Sequence, residues 1–495
     1  MLVKEVGYRS EVNKCILKQG SMVNRDAAVW WEGFKRDIKK MSIKYSGERR
    51  KKERMRERKV RGELEKEEGR INMMTGRGLG EYVRLKEELG EIEREKCMGA
   101  IIRSRAKYLV EGEKCTGFFL GMEKRKQGKS YIARIEGKGG EMITDLVGIA
   151  KRVEEFYGDL FKEERIDRES LEVTIDSMGR SLSEEGRELC EGGIGEREIE
   201  QAIKGLARNK SPGLDGLTAE FYVEFWEVLV PLLHVLFEQL GGREELPADM
   251  STGVISILFK KGCREKLENY RPLSMLNTDY KMLARVLSNR IKRVIGTVVG
   301  GTQAYSIPGR DISDTVSSIR DVFGHMKKEV GGVVVSLDLN KAFDRVNHTY
   351  LFRVLEKAGF GKGLVGWIRR IYAGAMSCVK VNGVITNVFK LGRSVRQGCP
   401  LSAMLYALSA EPLAALLMKN KDIRGVEVPG GGESLVFQYA DDTTITVRNM
   451  ESIKGIFESL KVYGGASGAK VNIEKSEYMV LGGRKEGGGD RAEGE

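Results

Sequence analysis

Apolar residues are unevenly spread along the 495-residue chain, and their spacing changes as it is followed from one end to the other. From about Asp26 to Ile102 they are sparse and fall at helical intervals: Trp30, Phe34 and Ile38, then Leu64, then Tyr82, Leu85, Leu89 and Ile92. Set among many Lys, Arg and Glu, they predict exposed, partly disordered helices. Between Gly112 and Phe161 the pattern turns to short β-like runs and turns (Phe118-Phe119, Ser130 to Ala133, Gly137 to Gly140), followed by a helix ending at Phe156-Tyr157. From Ile194 to about Leu481 the periodic segments are dense, which marks a compact core. The Gly-rich stretch after Leu481 has nothing to bury. The expected division is a charged helical extension over residues 1–111, a connector over 112–193, a core over 194–481 and a disordered tail over 482–495.

Two core segments read as strands that carry acids. Val333-Val334-Val335-Ser336-Leu337-Asp338-Leu339 is a nearly continuous β-branched run, the kind buried on both faces, with one carboxylate near its end. An unpaired Asp there is costly to bury. Asp338 either serves chemistry or caps Asn340 to Asp344, where a helix begins. Leu435 to Tyr439, Ala440-Asp441-Asp442 and Thr443 to Val447 read as strand, tight turn and strand, with two acids at the tip. Neighbours on a strand point to opposite faces, so one of Asp441 and Asp442 reaches a site shared with Asp338 while the other sits beside it. Carboxylates held rigidly on strands suit Mg²⁺, and two such ions can clamp the attacking and leaving oxygens of an in-line phosphoryl transfer. The bland alternative is an acidic turn.

Charge adds a partner to this picture. Lys and Arg exceed Asp and Glu by 84 to 72, a formal net charge of +12, and the pI is near 9.1. Such a balance favours a polyanion. The densest basic block, Arg49 to Arg61, has three readings: phosphate binding, a nuclear address or a solvated helix face. Seven scattered cysteines without a C-x-x-C pair, and three histidines, supply neither a zinc site nor a disulfide framework. The most apolar stretch, Phe225 to Leu240, is too short and too polar to span a bilayer, and no signal peptide is seen. An intracellular protein, nuclear or cytoplasmic, is expected.

Short motifs then fall in an order that resembles reverse transcriptases, most closely those of non-LTR (LINE-type) retrotransposons, over about Gly112 to Leu481. Asn209 to Gly216 resembles the block before the fingers, and Lys260-Lys261-Gly262 with Asn269 to Ser274 resembles the first fingers motif. Gln303-Ala304-Tyr305 with Gly309-Arg310 is similar to the second motif, and Ser336 to Asp344 to motif A. Arg396 to Ser402 looks like motif B, Tyr439 to Asp442 motif C, and Ser467-Gly468 with Asn472 and Lys475-Ser476 motif D. The fold implied is α+β: right-hand polymerase fingers and palm, with an antiparallel palm sheet flanked by helices, plus the charged extension.

The resemblance also implies roles. Asp338 and Asp441 would ligate two Mg²⁺ ions (or Mn²⁺ in their place) with the backbone carbonyl of Leu339, and Asp442 would complete the acidic cluster. Lys260 and Arg271 would bind the triphosphate, Lys261 being an equally placed substitute. Phe343 would exclude a ribose 2′-OH, unless it only packs in the core. Gln397-Gly398 would form the loop beneath templating base and nucleotide, with Pro400 in the first turn of the helix that follows. Lys475 would protonate the pyrophosphate leaving group, or is a plain surface lysine. The implied partners are an RNA template, a DNA primer and dNTPs, with no membrane; the sequence leaves the oligomeric state open. Departures are Cys115, where the family's Gly-Glu-Lys-x-Thr signature usually has Asn, and no match to an endonuclease or a thumb, which suggests a truncated copy. The expected activity is RNA-directed DNA synthesis; the alternative is a catalytically silent nucleic-acid-binding remnant.

Overall fold

The computed structural model describes residues 2–19, 26–70, 79–104 and 131–482. The Phe118-Phe119 run, Cys115 and nearly all of the Gly-rich tail lie outside them.

An antiparallel sheet of four strands sits at the centre, in the order Val436–Tyr439, Asp442–Val447, Gly332–Leu337, Glu477–Leu481. The β-branched run forms its inner strand, as the pattern predicts, but it is buried on one face only. Val333, Val335 and Leu337 point into the core beside Ile445 and Val447, whereas Val334 is half-buried and Ser336 exposed. The reason is the antiparallel pairing: one face packs on the helices Ser402–Lys419 and Ser452–Ser467, while a small cluster around Val322, Met326 and Phe437 covers part of the other.

A second sheet joins Tyr270–Met275 antiparallel to Thr252–Phe259, which runs parallel to Met376–Val381; two short strands, Val384–Ile385 and Phe389–Lys390, extend it. The helix Leu146–Phe161 lies against it, Val153, Tyr157 and Phe161 packing with Ile255, Tyr270 and Val379. The segment read as a connector thus forms one wall of this sheet's core. These elements make the α+β arrangement of sheets and flanking helices that the sequence implies.

The charged extension is helical but not exposed throughout. The 42-residue helix Ala27–Glu68, about 63 Å long at 1.5 Å per residue, buries Trp30, Trp31, Phe34 and Ile38 in the main core. Trp31 Nε1 donates to Asp279 Oδ2 at 2.9 Å, and Lys35 Nζ reaches the same oxygen at 2.6 Å and Asp249 at 2.5 Å. Burial works against the Lys35 charge, yet Asp279, Asp249 and Asp215 more than offset it, holding the ammonium above its ordinary pKa. Farther along, Val60 and Leu64 pack against Leu85, Leu89 and Ile92 of the helix Leu79–Ser104.

The basic block divides by face. Arg49, Arg56 and Arg61 pair with Glu5, Glu88 and Glu93. Arg36, Lys40, Lys44, Lys51, Arg54 and Arg58, spaced by three, four or seven residues on the face turned from the core, are exposed and form no ion pair among the described residues. No helix among the described residues is long and apolar enough to cross a membrane.

Candidate active site

Asp338 leaves the inner strand just after Leu337 and does not cap a helix; the next helical turn, Ala342–Arg345, begins after Lys341. The chain of residues 470–476 grips this corner. Asn472 Nδ2 donates to Asp338 Oδ2 at 2.8 Å, the Asn472 N–H donates to the Asp338 carbonyl at 2.8 Å, and the Asp338 N–H donates to Ser476 Oγ at 3.2 Å. A bridge between Leu339 and Val471 continues the contact.

Asp441 stands at the tip of a two-residue hairpin loop, since Tyr439 and Asp442 are the closing pair. Ala440 takes φ 57°, the left-handed conformation that such tight hairpins require. Burial pushes the Asp441 carboxyl above its usual range, the neighbouring Asp442 and Asp338 push it the same way, and Lys260 opposes them. Like charges in a half-buried site are relieved by a cation.

Both acids line a cavity of about 640 Å³ together with the Leu339 backbone segment. Lys260, Lys261 and Arg271, from the turn and strand of the second sheet, line it as well. Lys475, in the short turn Ile473–Lys475, also faces it. Asp442 does not: it is exposed at the start of its strand and outside the cavity lining. Among the described residues no group of three acids, cysteines or histidines is arranged to hold a metal. The two carboxylates that line the cavity are hard oxygen donors of the type Mg²⁺ takes.

Phe343 faces the cavity and is half-buried, so packing and exposure coexist there. It stacks on Tyr406 at 4.1 Å between centroids and 12° between planes, and meets Tyr305 edge-on at 6.3 Å. Tyr305 also touches Tyr439 of the hairpin at 5.4 Å. Gln397 Nε2 donates to Asp344 Oδ1 at 3.0 Å, and the Gln397 carbonyl accepts from Ser274 N at 2.8 Å, joining this loop to the second sheet. Gly398, at φ 106°, allows that approach: a Cβ would meet the Ser274 carbonyl at 2.7 Å. Pro400 lies in the turn before the helix Ser402–Lys419 rather than in its first turn.

Sequence reasoning assigns no role to Asp344, Tyr305, Tyr406 or Lys341. Asp344 is fully buried at the back of the cavity, and burial raises its carboxyl to about 7. The available signal is an acid directly after the aromatic at 343. Lys341, left-handed at φ 50°, lines the cavity and lies over the Phe156 ring; burial lowers its pKa. Nothing in its sequence context marks it.

A family model described as reverse transcriptase (RNA-dependent DNA polymerase) matches residues 259–488. The transposon TX1 uncharacterized 149 kDa protein of Xenopus laevis is 35% identical over 460 residues, 92% of this chain and 35% of its own length. The retrovirus-related Pol polyprotein from type-1 retrotransposable element R2 of Popillia japonica is 26% identical over 287 residues, 57% of this chain and 39% of its own. The probable RNA-directed DNA polymerase from transposon BS of Drosophila melanogaster is 25% identical over 306 residues, 59% and 32%. The chain spans about a third of the length of these curated relatives.

Proposed function

Residues 259–488 being a reverse transcriptase domain of the non-LTR retrotransposon type, we propose that the chain copies RNA into DNA, joining dNTPs to a primer 3′-OH. One observation carries the reading: a single cavity collects Asp338 and Asp441 from the ends of two paired strands, Lys260, Lys261 and Arg271 from the turn and strand of the second sheet, and the half-buried ring of Phe343.

Asp338, Asp441 and the Leu339 carbonyl would hold two Mg²⁺ ions, with Mn²⁺ as substitute, and Asp442 would add negative charge beside them. When bound, the ions supply activation of the primer hydroxyl and neutralisation of the leaving oxygens. Lys260 and Arg271 receive the triphosphate, the planar guanidinium by two parallel hydrogen bonds and the ammonium as a point charge; Lys261 can replace Lys260. Phe343, backed by Tyr406, closes against C2′ of the sugar and selects deoxynucleotides. Gln397-Gly398 support the nascent base pair. Lys475 delivers a proton to the pyrophosphate. Template RNA is held mainly through its phosphates, to which the unpaired cationic face of the long helix adds. The protein works inside the cell, in nucleus or cytoplasm, where such templates occur.

Primer extension on an RNA template with dNTPs and Mg²⁺ tests this. The wild-type chain is expected to extend, and Asp441→Asn to lose extension while keeping its RNA affinity, because affinity comes from Lys and Arg contacts. A chain that gel-shifts RNA but extends no primer is the silent remnant instead.

A further inference from the structure

In the sequence Gln303 is only one member of a motif, and the structure gives it a position of its own. It is fully buried, and its carboxamide meets both backbone polar groups of one residue, Ala440. The Ala440 N–H donates to Gln303 Oε1 at 3.1 Å, and Gln303 Nε2 donates to the Ala440 carbonyl at 3.3 Å. Oε1 also accepts the Tyr305 N–H at 2.9 Å. The amide can therefore face only one way. Flipped, its NH₂ would confront two N–H donors and its oxygen a carbonyl.

Ala440 is the residue that needs this support. Its φ of 57° is a conformation that side chains with a Cβ adopt at a penalty, and it persists where surrounding contacts over-determine it. Asp441 follows directly, so the direction of its carboxylate is set by how firmly that turn is held. The main chain beside Gln303 adds to the hold: Gln438 N donates to Thr302 O at 2.7 Å and Ala304 N to Gln438 O at 3.1 Å. Arg310 braces the segment from behind, its guanidinium donating to the carbonyls of Gln303 at 2.7 Å and Val299 at 2.8 Å, and to that of Gly300. Buried Glu411 accepts the Gly300 N–H at 2.9 Å.

We propose that Gln303 is a positioning residue for Asp441: its buried amide fixes the left-handed turn that aims the carboxylate into the cavity, and Arg310 keeps Gln303 in register. This rests on the metal-binding reading of Asp441 given above. Gln303 does not line the cavity; it acts through the Ala440 backbone.

The test replaces the amide by an apolar chain of similar length, Gln303→Met, in the full chain. Without metal, the amide hydrogens of Ala440 and Tyr305 should exchange faster than in the wild type while the core strand Gly332–Leu337 stays protected. With Mn²⁺ as probe, followed by its electron paramagnetic resonance, affinity should fall about 10–100-fold, as for partners that orient a metal ligand. Extension per active site should fall with it, and the dNTP KM should change little. Gln303→Glu, which retains the acceptor oxygen and removes the donor, should give intermediate exchange, and it serves if Gln303→Met does not fold. Wild-type exchange at Ala440 together with wild-type Mn²⁺ affinity in a folded variant would overturn the proposal. A wild-type chain that extends no primer would sink the polymerase reading instead, and the exchange measurement would still decide the role of Gln303.

Discussion

The side-chain amide of Asn472 lies 2.8 Å from Oδ2 of Asp338, and its backbone N–H lies 2.8 Å from the Asp338 carbonyl, so one residue holds both ends of the acid. A carboxylate that accepts a fixed donor on one oxygen presents the other in a defined direction. Asn472→Ala should therefore raise the Mg²⁺ concentration that half-saturates primer extension by about 10–100-fold, with RNA affinity unchanged. Titrating extension rate against Mg²⁺ measures it, and an unchanged half-saturating concentration refutes it.

Phe343 stacks on Tyr406, so the sugar selection proposed for Phe343 depends on two residues. Phe343→Ala should raise ribonucleotide incorporation relative to deoxynucleotide by at least about tenfold, the scale at which pocket shape discriminates small groups. Tyr406→Leu, which leaves the ring in place but unsupported, should raise it less. Competition between matched rNTP and dNTP on one template reads both; unchanged selectivity in Phe343→Ala removes the gate.

Asp344 gives a pH signature. Its carboxyl is raised to about 7 in the fold by burial, above the ordinary 3.8. The folded state then binds the proton more tightly than the unfolded one, so stability is greatest below the ordinary value and is lost as pH climbs to about 7, staying low above it. Asp344→Asn is neutral throughout and still accepts from Gln397. It should be more stable than the wild type at pH 8, on the order of 2 kcal/mol, with the advantage vanishing towards pH 4. Denaturant melts at the two pH values check this, and equal advantage at both contradicts it.

The cationic face of the long helix predicts a salt dependence. Removing Lys40, Lys44, Lys51, Arg54 and Arg58 together by alanine should lower the slope of log affinity for RNA against log salt, by about 0.7–0.9 for every phosphate that is no longer neutralised. Substituting the paired Arg49, Arg56 and Arg61 should leave the slope nearly unchanged. Fluorescence anisotropy over a salt series separates the two sets, and equal effects would mean that pairing does not matter.

How much of the molecule is legible in its sequence differs by element. The inner strand and the acidic hairpin follow from local pattern: β-branched residues and a tight turn specify themselves within a few positions. That Val334 and Ser336 face away from the core is not legible, because a continuous apolar run carries no sign of which face stays open. Helical spacing at Trp30, Phe34 and Ile38 predicts a helix correctly, but its burial depends on Asp279 and Tyr222, far along the chain. The motif order names most of the assigned residues that share a cavity, Asp442 being the exception. The contacts that orient them, Asn472 to Asp338 and Gln303 to Ala440, arise from pairings between distant segments, which spacing does not encode.

The burial of the first half of the long helix bears on how the molecule can be divided. The match to the reverse transcriptase family model starts at residue 259, yet Asp279 within it is completely buried and is answered by Trp31 and Lys35 from outside that stretch. A fragment cut at residue 259 would discard the two side chains that answer this carboxylate, and loss of the partner of a buried charge typically costs about 3–5 kcal/mol. The contacts that answer Asp279 reach back to Trp31, so the border of the family match and the border of the packed core are different lines.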